Sequence, residues 1–223
     1  MTTQHPSLPP GRDLPRLIGL AGPARSGKDT AANYLVANRG YTKIAFADAV
    51  RECARALNPI VGYNHYAGRP VRWTGLESAH GYEDAKDHPV HGAEFRAVLQ
   101  RIGTEMGRQT LSSEIWVNTL LDRLQPGVSY VIPDCRFPNE AAAITERSGV
   151  VWRVQRDVTG SYREGLRHVS ETALDEWEFD AVLRNYRGFT LEALHQEIET
   201  ALRISSGHRR GYSSHPIQRN VLR

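Results

Sequence analysis

Short apolar runs alternate with longer amphipathic stretches along most of the chain. Five runs have the length and the apolar character of buried parallel strands, namely residues 17–22, 41–46, 128–134, 150–156 and 181–185. Helical patterns lie between them and begin near Lys28, Ala47 and Asn139. Strands that alternate with helices predict an α/β fold, in which a five-stranded parallel sheet carries helices on both faces.

Three more helices are predicted from the same periodicity. Two of them cover residues 93–109 and 113–124, and the last covers "TLEALHQEIETALRI", which begins at Thr190. The apolar face of that last helix consists of Leu191, Leu194, Ile198 and Leu202. Trp116 falls on the apolar face of its own helix, which favours a place in the core over a base-stacking role.

The periodic patterns stop near both ends of the chain and weaken at two places inside it. Residues 1–15 are predicted to be a flexible arm, residues 16–205 a single domain, and residues 206–223 a flexible basic tail. Inside the domain, residues 60–91 are rich in glycine, histidine and aromatics, and we interpret them as a substrate flap. Residues 157–170 are interpreted as a lid.

Composition limits the classes of function only a little. The chain has 223 residues, of which 40% are hydrophobic and 24% charged, as in ordinary globular proteins. Its net charge of +3 does not by itself indicate stable binding to nucleic acid. No apolar run reaches the length of a membrane span, and the first residues lack a signal-peptide pattern. With Cys53 and Cys135 far apart, the sequence predicts a cytoplasmic protein, in the host cytoplasm if a phage encodes it.

Residues 19–35, "GLAGPARSGKDTAANYL", contain most of a phosphate-binding loop. The usual pattern is Gly, four residues, Gly-Lys and then Ser or Thr. A glycine-rich turn between a buried strand and a helix points backbone N–H groups at an anion, and Lys28 adds a cation. We therefore predict that ATP phosphates are bound by Gly22, Ala24, Arg25, Ser26, Gly27, Lys28, Asp29 and Thr30.

Asp29 stands where the loop normally has a hydroxyl residue. A carboxylate next to a triphosphate is repelled, but a Mg²⁺ ion between them makes the interaction favourable. Asp29 is therefore interpreted as a ligand of Mg²⁺ or of its waters, and Thr30 still offers a hydroxyl. The alternative is an acid at a helix N-terminus that stabilises only the helix dipole.

Asp134 and Arg136 follow a buried strand at the edge of the sheet where ligands bind. Asp134 is in the place of the second acid that holds Mg²⁺ or its waters in P-loop enzymes. We predict that Lys28, Asp134 and Arg136 form the catalytic group, because phosphoryl transfer between two anions needs neutralising charge. More arginines flank the predicted lid, namely Arg156, Arg163 and Arg167. The base-reading motif of GTPases is missing, so a small-molecule kinase fits best.

Several segments together resemble the phage-type deoxynucleoside monophosphate kinases. They are "GPARSGKDTAANYL", "FADAVRE", "RAVLQRIGTEMGR", "EIWVN", "VIPDCRFPNEAAAI" and "HVSETALDE", and they run in order from about residue 16 to 205. The resemblance implies the P-loop nucleotide-kinase fold, with a flap and a lid, in a homodimer. It also implies ATP- and Mg²⁺-dependent transfer of the γ-phosphate to a deoxynucleoside 5′-monophosphate, giving the deoxynucleoside diphosphate and ADP.

By position, the resemblance also implies the acceptor site. Arg96 and Arg108 would bind the monophosphate, Gln100 and Glu105 would lie near the nucleoside, and Asp134 and Arg136 would stand between donor and acceptor. Two alternatives stay open. One is another P-loop small-molecule kinase, similar to dephospho-coenzyme A or phosphomevalonate kinases. The other is a P-loop ATP-binding protein that associates with nucleic acid through the basic tail.

Aromatic and histidine residues of the predicted flap have no assigned role. Trp73 has no obvious core to join, so it is a candidate for contact with a base. His80, His88 and His91 cluster in sequence, but without a cysteine or a helical spacing they give only weak support to a metal site.

Overall fold

The computed structural model of the protein describes residues 14–156, 173–186, 188 and 190–208. The predicted lid at 157–170 lies outside the described residues, as do nearly all of the predicted arm and tail. In chain order the elements are β1 Leu17–Ala21, α1 Lys28–Arg39, β2 Thr42–Lys43, α2 Ala47–Leu57, β3 Ile60–Asn64, β4 Arg69–Arg72, α3 Trp73–His80, α4 Tyr82–Lys86, α5 Gly92–Gln100, a π-helix Arg101–Leu111, α6 Ile115–Asp122, β5 Tyr130–Ile132, α7 Pro138–Thr145, β6 Val150–Gln155, β7 Ala181–Arg184 and α8 Leu191–His208.

These elements form two compact units. The first unit comprises Met1–Lys43 and Val128–Arg223, and we call it the sheet unit. The second is Ile44–Gly127, which we call the inserted unit because it interrupts the sequence of the first. Across the described stretches of both units, no helix is both long enough and apolar enough to span a membrane.

The sheet unit contains the five-stranded sheet that the sequence predicts. Its strands lie in the order β2-β5-β1-β6-β7, and every neighbouring pair is parallel. Helices flank this sheet, so the predicted α/β fold is confirmed, and the architecture is consistent with the P-loop kinase fold. Strand β2 is shorter than its apolar run at 41–46, because the chain leaves the sheet at Ile44 and Phe46 instead caps α2.

Alternate residues of β1 show that the two faces of the sheet are both covered. Ile18 and Leu20 are fully buried in one cluster, which also holds residues of α1 and α8. Gly19 points the other way, and a Cβ on it would lie 2.6 Å from Cδ1 of Ile144 in α7. At Gly19, α7 therefore packs directly against the backbone of the central strand.

Helix α8 buries most of the face predicted for it. Leu194, Ile198 and Leu202 are at most 2% exposed and join the cluster between the sheet and α1. Leu191 is 57% exposed, so the prediction is wrong there. It is the first residue of the helix and lies outside the buried cluster.

The inserted unit has its own apolar core. Trp73, Phe95 and Trp116 are among its buried residues, so the prediction for Trp116 is confirmed. Trp73 is fully buried and stacks on Phe95 at 4.3 Å between ring centroids. A solvent-facing role for Trp73 in base contact is therefore wrong. Residues 60–91 lack one continuous periodicity because they divide into the antiparallel β3–β4 pair and two short helices.

The helix predicted over residues 93–109 changes its hydrogen-bond pattern halfway, where α5 gives way to the π-helix. Trp116 explains how the wider turn is held. Its indole Nε1 donates to the carbonyl of Gly103 at 2.7 Å, and its ring packs on Gly107, where a Cβ would come within 2.4 Å. The π-helix carries Glu105 and Arg108, two of the predicted acceptor residues.

Candidate functional site

The loop between β1 and α1 has backbone angles that favour glycine. Gly22 has φ of 136° and Gly27 has φ of 107°, and Arg25 between them is also left-handed with φ of 60°. A Cβ on Gly22 would lie 2.3 Å from the carbonyl oxygen of Val154, and one on Gly27 would lie 2.4 Å from Nδ2 of Asn185. Both glycines therefore allow a sharp turn and a close approach of neighbouring strands.

Helix α1 begins directly after this turn, at Lys28. Gly27 is its N-cap and provides no side-chain cap, so the helix N-terminus is left to a different partner. The first N–H groups of a helix lack intrahelical acceptors and carry the positive end of the dipole. A phosphate is a suitable partner, and the loop and helix start together form such a cradle.

Lys28 brings its charge to the mouth of the same loop. Its ammonium donates to the carbonyl oxygens of Gly22 at 2.8 Å and Pro23 at 2.7 Å. The side chain of Ser26 lies inside the loop and is only 1% exposed, and its hydroxyl has no hydrogen-bond partner in the part of the chain that the structure describes. A buried hydroxyl of this kind is a group that a phosphate oxygen would satisfy.

The loop is also held by two residues, each of which directly follows the carboxyl end of another strand. Asn185, after β7, donates from Nδ2 to the carbonyl of Ser26 at 2.7 Å. Arg156, after β6, donates from Nη1 to the carbonyl of Arg25 at 3.0 Å. Sequence reasoning missed Asn185, although its position directly after a buried strand was a usable signal. These contacts fix the loop without using the N–H groups at the start of α1.

Asp29 is the second residue of α1, and its side chain is 76% exposed. Its Oδ1 forms an ion pair with Nζ of Lys43 on β2 at 2.7 Å, and the same ammonium lies 3.4 Å from Oδ1 of Asn33. An exposed pair of this type adds little stability. The carboxylate therefore stays accessible to a hydrated cation, and its predicted role toward Mg²⁺ stays a prediction.

A buried acid organises the turn that carries Asp134 and Arg136. Oε2 of Glu140 accepts the backbone N–H groups of Arg136 at 2.7 Å and Phe137 at 3.0 Å. Glu140 is 2% exposed, and sequence reasoning did not single it out. The spacing of Glu140 three residues after the N-cap position was the available signal. Burial, with the charges of Glu140 and Asp134, raises the pKa of the neighbouring Cys135 thiol, which disfavours the reactive thiolate.

One pocket joins the loop to the residues after β5. Gly22 and Arg136 both line it, so the structure brings these two predicted site residues together. Arg153 and Asp175 also line the pocket and form an ion pair at 2.8 Å. Arg153 was not among the arginines predicted for the site, because it lies within an apolar strand.

The remaining predicted residues lie in the inserted unit. Arg96 donates from Nη1 to the carbonyl of Lys86 and is 3.5 Å from Asp87, and Arg108 donates from Nη1 to the carbonyl of Ser113 at 3.3 Å. Gln100 is the last residue of α5 and is exposed. Their assignment to the acceptor site, with that of Glu105, stays a prediction.

The histidines of the inserted unit lie close together in space. The ring of His88 is 5.0 Å from those of His80 and His91, and Nδ1 of His88 accepts two backbone N–H groups. Burial and the two neighbouring rings lower the pKa of His88. Within the described ranges, no group of three or more histidine, cysteine or acidic residues is arranged to hold a metal ion, so the structure adds no support to a histidine metal site.

The five-stranded parallel sheet and its glycine loop define an α/β protein consistent with the P-loop kinases. No model of a known protein family matches the chain. It is similar to a protein of Acanthamoeba polyphaga mimivirus named "Putative deoxynucleotide monophosphate kinase", with 28% identity over 200 residues, which cover 82% of this chain and 93% of that protein. The predicted resemblance to deoxynucleoside monophosphate kinases is confirmed by this relative.

A second similar protein comes from Ictalurid herpesvirus 1 (strain Auburn) and is named "Uncharacterized protein ORF77". It is 30% identical over 167 residues, which cover 72% of this chain and 59% of the herpesvirus protein. Both viral relatives thus align with more than two thirds of this chain, at 28% and 30% identity.

Proposed function

We propose that the protein is a phosphotransferase that moves the γ-phosphate of ATP to a deoxynucleoside 5′-monophosphate, with Mg²⁺ as the metal. The observation that carries the proposal is the loop at the start of α1, where left-handed glycines, a buried hydroxyl and Lys28 surround the helix N-terminus. The name of the mimivirus relative supports the choice of acceptor.

The residues of the sheet unit suit the donor side of this reaction. The loop from Gly22 to Thr30 binds the phosphates through backbone N–H groups, and Lys28 exchanges its carbonyl partners for phosphate oxygens. Asp29 and Asp134 offer carboxylate oxygens to the hydrated Mg²⁺, which neutralises charge on the transferred group when bound. Arg136 approaches the loop through the pocket it shares with Gly22 and orients the phosphoryl group.

The acceptor side needs positioning more than base catalysis. A phosphate monoester has its second pKa near 6, so the attacking oxygen is already mostly ionised at pH 7. Arg96 and Arg108 are proposed to bind that monophosphate, with Gln100 and Glu105 near the nucleoside. Rate acceleration then comes from charge neutralisation and alignment of the two substrates. Assembly as a homodimer and a cytoplasmic location belong to the same proposal.

The decisive experiment is ADP release from ATP and Mg²⁺ with each of the four deoxynucleoside monophosphates in turn. We expect at least one acceptor to raise ADP formation above the rate with ATP alone. Dephospho-coenzyme A and phosphomevalonate serve as comparison acceptors, and stimulation by one of them in place of every deoxynucleotide would contradict the proposal. DNA binding that weakens steeply with salt, with no turnover of any mononucleotide, would support the nucleic-acid alternative instead.

A further inference from the structure

Arg153 is a charged residue in the middle of the sheet that the proposed function leaves without a role. It lies on β6 opposite Ala21, the last residue of β1, directly before the phosphate loop. Its strand neighbours Trp152 and Val154 are fully buried in the cluster with α1 and α8. Alternation along the strand sends Arg153 to the opposite face, into the pocket that Gly22 and Arg136 also line.

Two neighbours hold the guanidinium of Arg153 in one orientation. Nη2 is 2.8 Å from Oδ1 of Asp175, and Cζ is 5.4 Å from the ring centroid of Phe179. Both neighbours line the same pocket. A guanidinium carries five N–H donors in a planar fork, so the contact through Nη2 leaves donors for a further acceptor. Arg153 is thus oriented in advance.

The charges around the pocket favour a ligand with more than one negative charge. Arg136 and Arg153 stand on its walls, and the ammonium of Lys28 lies 2.8 Å from the carbonyl of Gly22 at its edge. Asp175 is the acid of the wall and is paired with Arg153. Two arginines that line one pocket, one in the turn after β5 and one on β6, suit the oxygens of a phosphoryl group, which accept bidentate hydrogen bonds.

We propose that Arg153 contacts a phosphoryl oxygen of the nucleotide substrates and forms, together with Arg136, a phosphate subsite at the Gly22 edge of the loop. That a nucleotide carries this phosphate rests on the proposed function, whereas the preference for a phosphate is inferred from the charged residues that line the pocket. Asp175 and Phe179 act as positioning residues for the guanidinium. The phosphate belongs either to ATP or to the acceptor monophosphate, and the two sources are separable by experiment.

The test compares Arg153→Met and Arg153→Lys with Arg147→Met, an exposed arginine just after α7 that lies outside the pocket. KM is measured for ATP at saturating acceptor and for the acceptor at saturating ATP. Removing a charged hydrogen-bond partner of a phosphate weakens binding roughly ten- to a hundredfold. We expect KM to rise by this factor for the substrate whose phosphate occupies the subsite with Arg153→Met, and less with Arg153→Lys. Arg147→Met should match the wild type.

Direct binding separates this proposal from the proposed function. The dissociation constants of ATP alone and of each deoxynucleoside monophosphate alone are measured by calorimetry on the same four proteins. If the wild type shows no turnover but Arg153→Met weakens binding of one ligand, the subsite stands and the kinase proposal fails. If the wild type is active and Arg153→Met changes neither KM nor binding, the subsite is overturned.

A purely structural role for Arg153 gives a different pattern. Arg153→Met and Asp175→Asn would then lower the melting temperature together, with KM and ligand binding unchanged, and this result overturns the proposal. Under the proposal, Asp175→Asn raises KM for the same substrate as Arg153→Met, but by a smaller factor, because the guanidinium is kept and only its orientation is loosened. If Arg153→Met does not fold, Arg153→Lys decides, since wild-type KM and binding in that variant also overturn the proposal.

Discussion

The orientation of single side chains sets the geometry of the candidate site in this protein. Lys28 shows this most clearly, because its ammonium reaches back to two carbonyls of the loop that precedes it. Glu140 shows the same for the turn after β5, where one buried carboxylate holds two consecutive N–H groups. Neither side chain is part of the apolar core. Each nevertheless orients a charged group at the edge of the sheet, the ammonium of Lys28 in one case and the turn that carries Arg136 in the other.

Lys28→Ala and Arg136→Ala should each reduce turnover by a factor of roughly a hundred or more, because each removes a preorganised charge. Both should keep the melting temperature close to that of the wild type, since neither side chain belongs to the apolar core. Steady-state ADP release and thermal unfolding are the measurements. Arg147→Ala is the matched control for loss of one exposed positive charge. Near-normal turnover of Arg136→Ala would show that this arginine has only a surface role.

Asp29→Asn tests the carboxylate in the loop. It keeps the shape and removes the charge, so the Mg²⁺ concentration for half-maximal activity should rise, while binding of metal-free ATP should weaken little. Asp29→Ser should retain more activity than Asp29→Ala, since a hydroxyl still ligates the ion.

Lys43→Met is the control, because it removes the ion pair but leaves the carboxylate in place. It should not raise the Mg²⁺ requirement. An unchanged Mg²⁺ dependence in Asp29→Asn, with a lower melting temperature, would assign Asp29 to the helix N-terminus alone and leave the metal-side role to Thr30.

At the scale of elements, the sequence predicted what depends on local pattern and missed what depends on distant partners. Apolar runs located all five sheet strands, because parallel strands buried on both faces have a continuous signal. The same logic failed for Trp73, whose stacking partner Phe95 is 22 positions away. The shift from α5 to the π-helix was equally hidden, since it depends on an indole from α6.

The residues of the candidate site also divide into those that a sequence motif predicts and those that depend on distant contacts. Gly22, Gly27 and Lys28 follow a motif whose spacing is fixed by the backbone, so the sequence alone located them. Arg153 and Asn185 contact residues far from them in sequence, Asp175 and Ser26, and no motif of fixed spacing marks either of them. Glu140 carries only the spacing of a capping box, which does not reveal that its carboxylate is buried. The contacts of Arg153 and Asn185 depend on how neighbouring strands pair, which the sequence does not specify.

Gly107→Ala tests the contact that holds the π-helix. A Cβ there would lie 2.4 Å from the buried ring of Trp116, so we expect a loss of about 1–3 kcal/mol in the free energy of unfolding. Gly75→Ala is the matched control, because Gly75 also lies in a helix but has open space around it. That control should gain about 0.5–1 kcal/mol from helix propensity. Equal stabilities of the two variants in urea unfolding would contradict the packing described here.

At the scale of the whole molecule, the hydrogen bonds that join α1 to α8 are expected to make the protein less stable at alkaline pH. The hydroxyl of Tyr34 donates to Oε1 of Glu199 at 2.9 Å, and Arg39 binds the same carboxylate. Burial, followed by the bond to Glu199, raises the pKa of Tyr34 from its ordinary value near 10 to about 12. The raised pKa means that this stability is complete below pH 10 and is lost as pH rises to 12.

The shift corresponds to a fall of about 2–3 kcal/mol in the free energy of unfolding as the pH rises from below 10 through 12. Because Tyr34→Phe loses the hydrogen bond to Glu199, it should be less stable than the wild type at pH 8 by about 1 kcal/mol. The difference should shrink or reverse between pH 10 and 12, where only the wild type bears the cost of ionising Tyr34. Tyr66→Phe, at a fully exposed tyrosine, should follow the wild type over the whole range. Denaturant unfolding at fixed pH values measures both. A constant difference between wild type and Tyr34→Phe would show that Tyr34 ionises normally in the folded protein.

The strand order has a consequence for how the chain is made. Strand β5 lies between β1 and β2, yet it follows them only after the whole of Ile44–Gly127. On a ribosome that adds about 5–20 residues per second, β1 therefore waits on the order of ten seconds for its neighbour Tyr130–Ile132. All five residues of β1 are buried in the finished sheet. Newly made chains thus expose an apolar strand without its β5 neighbour for that interval, and nascent-chain chaperones would have time to bind it.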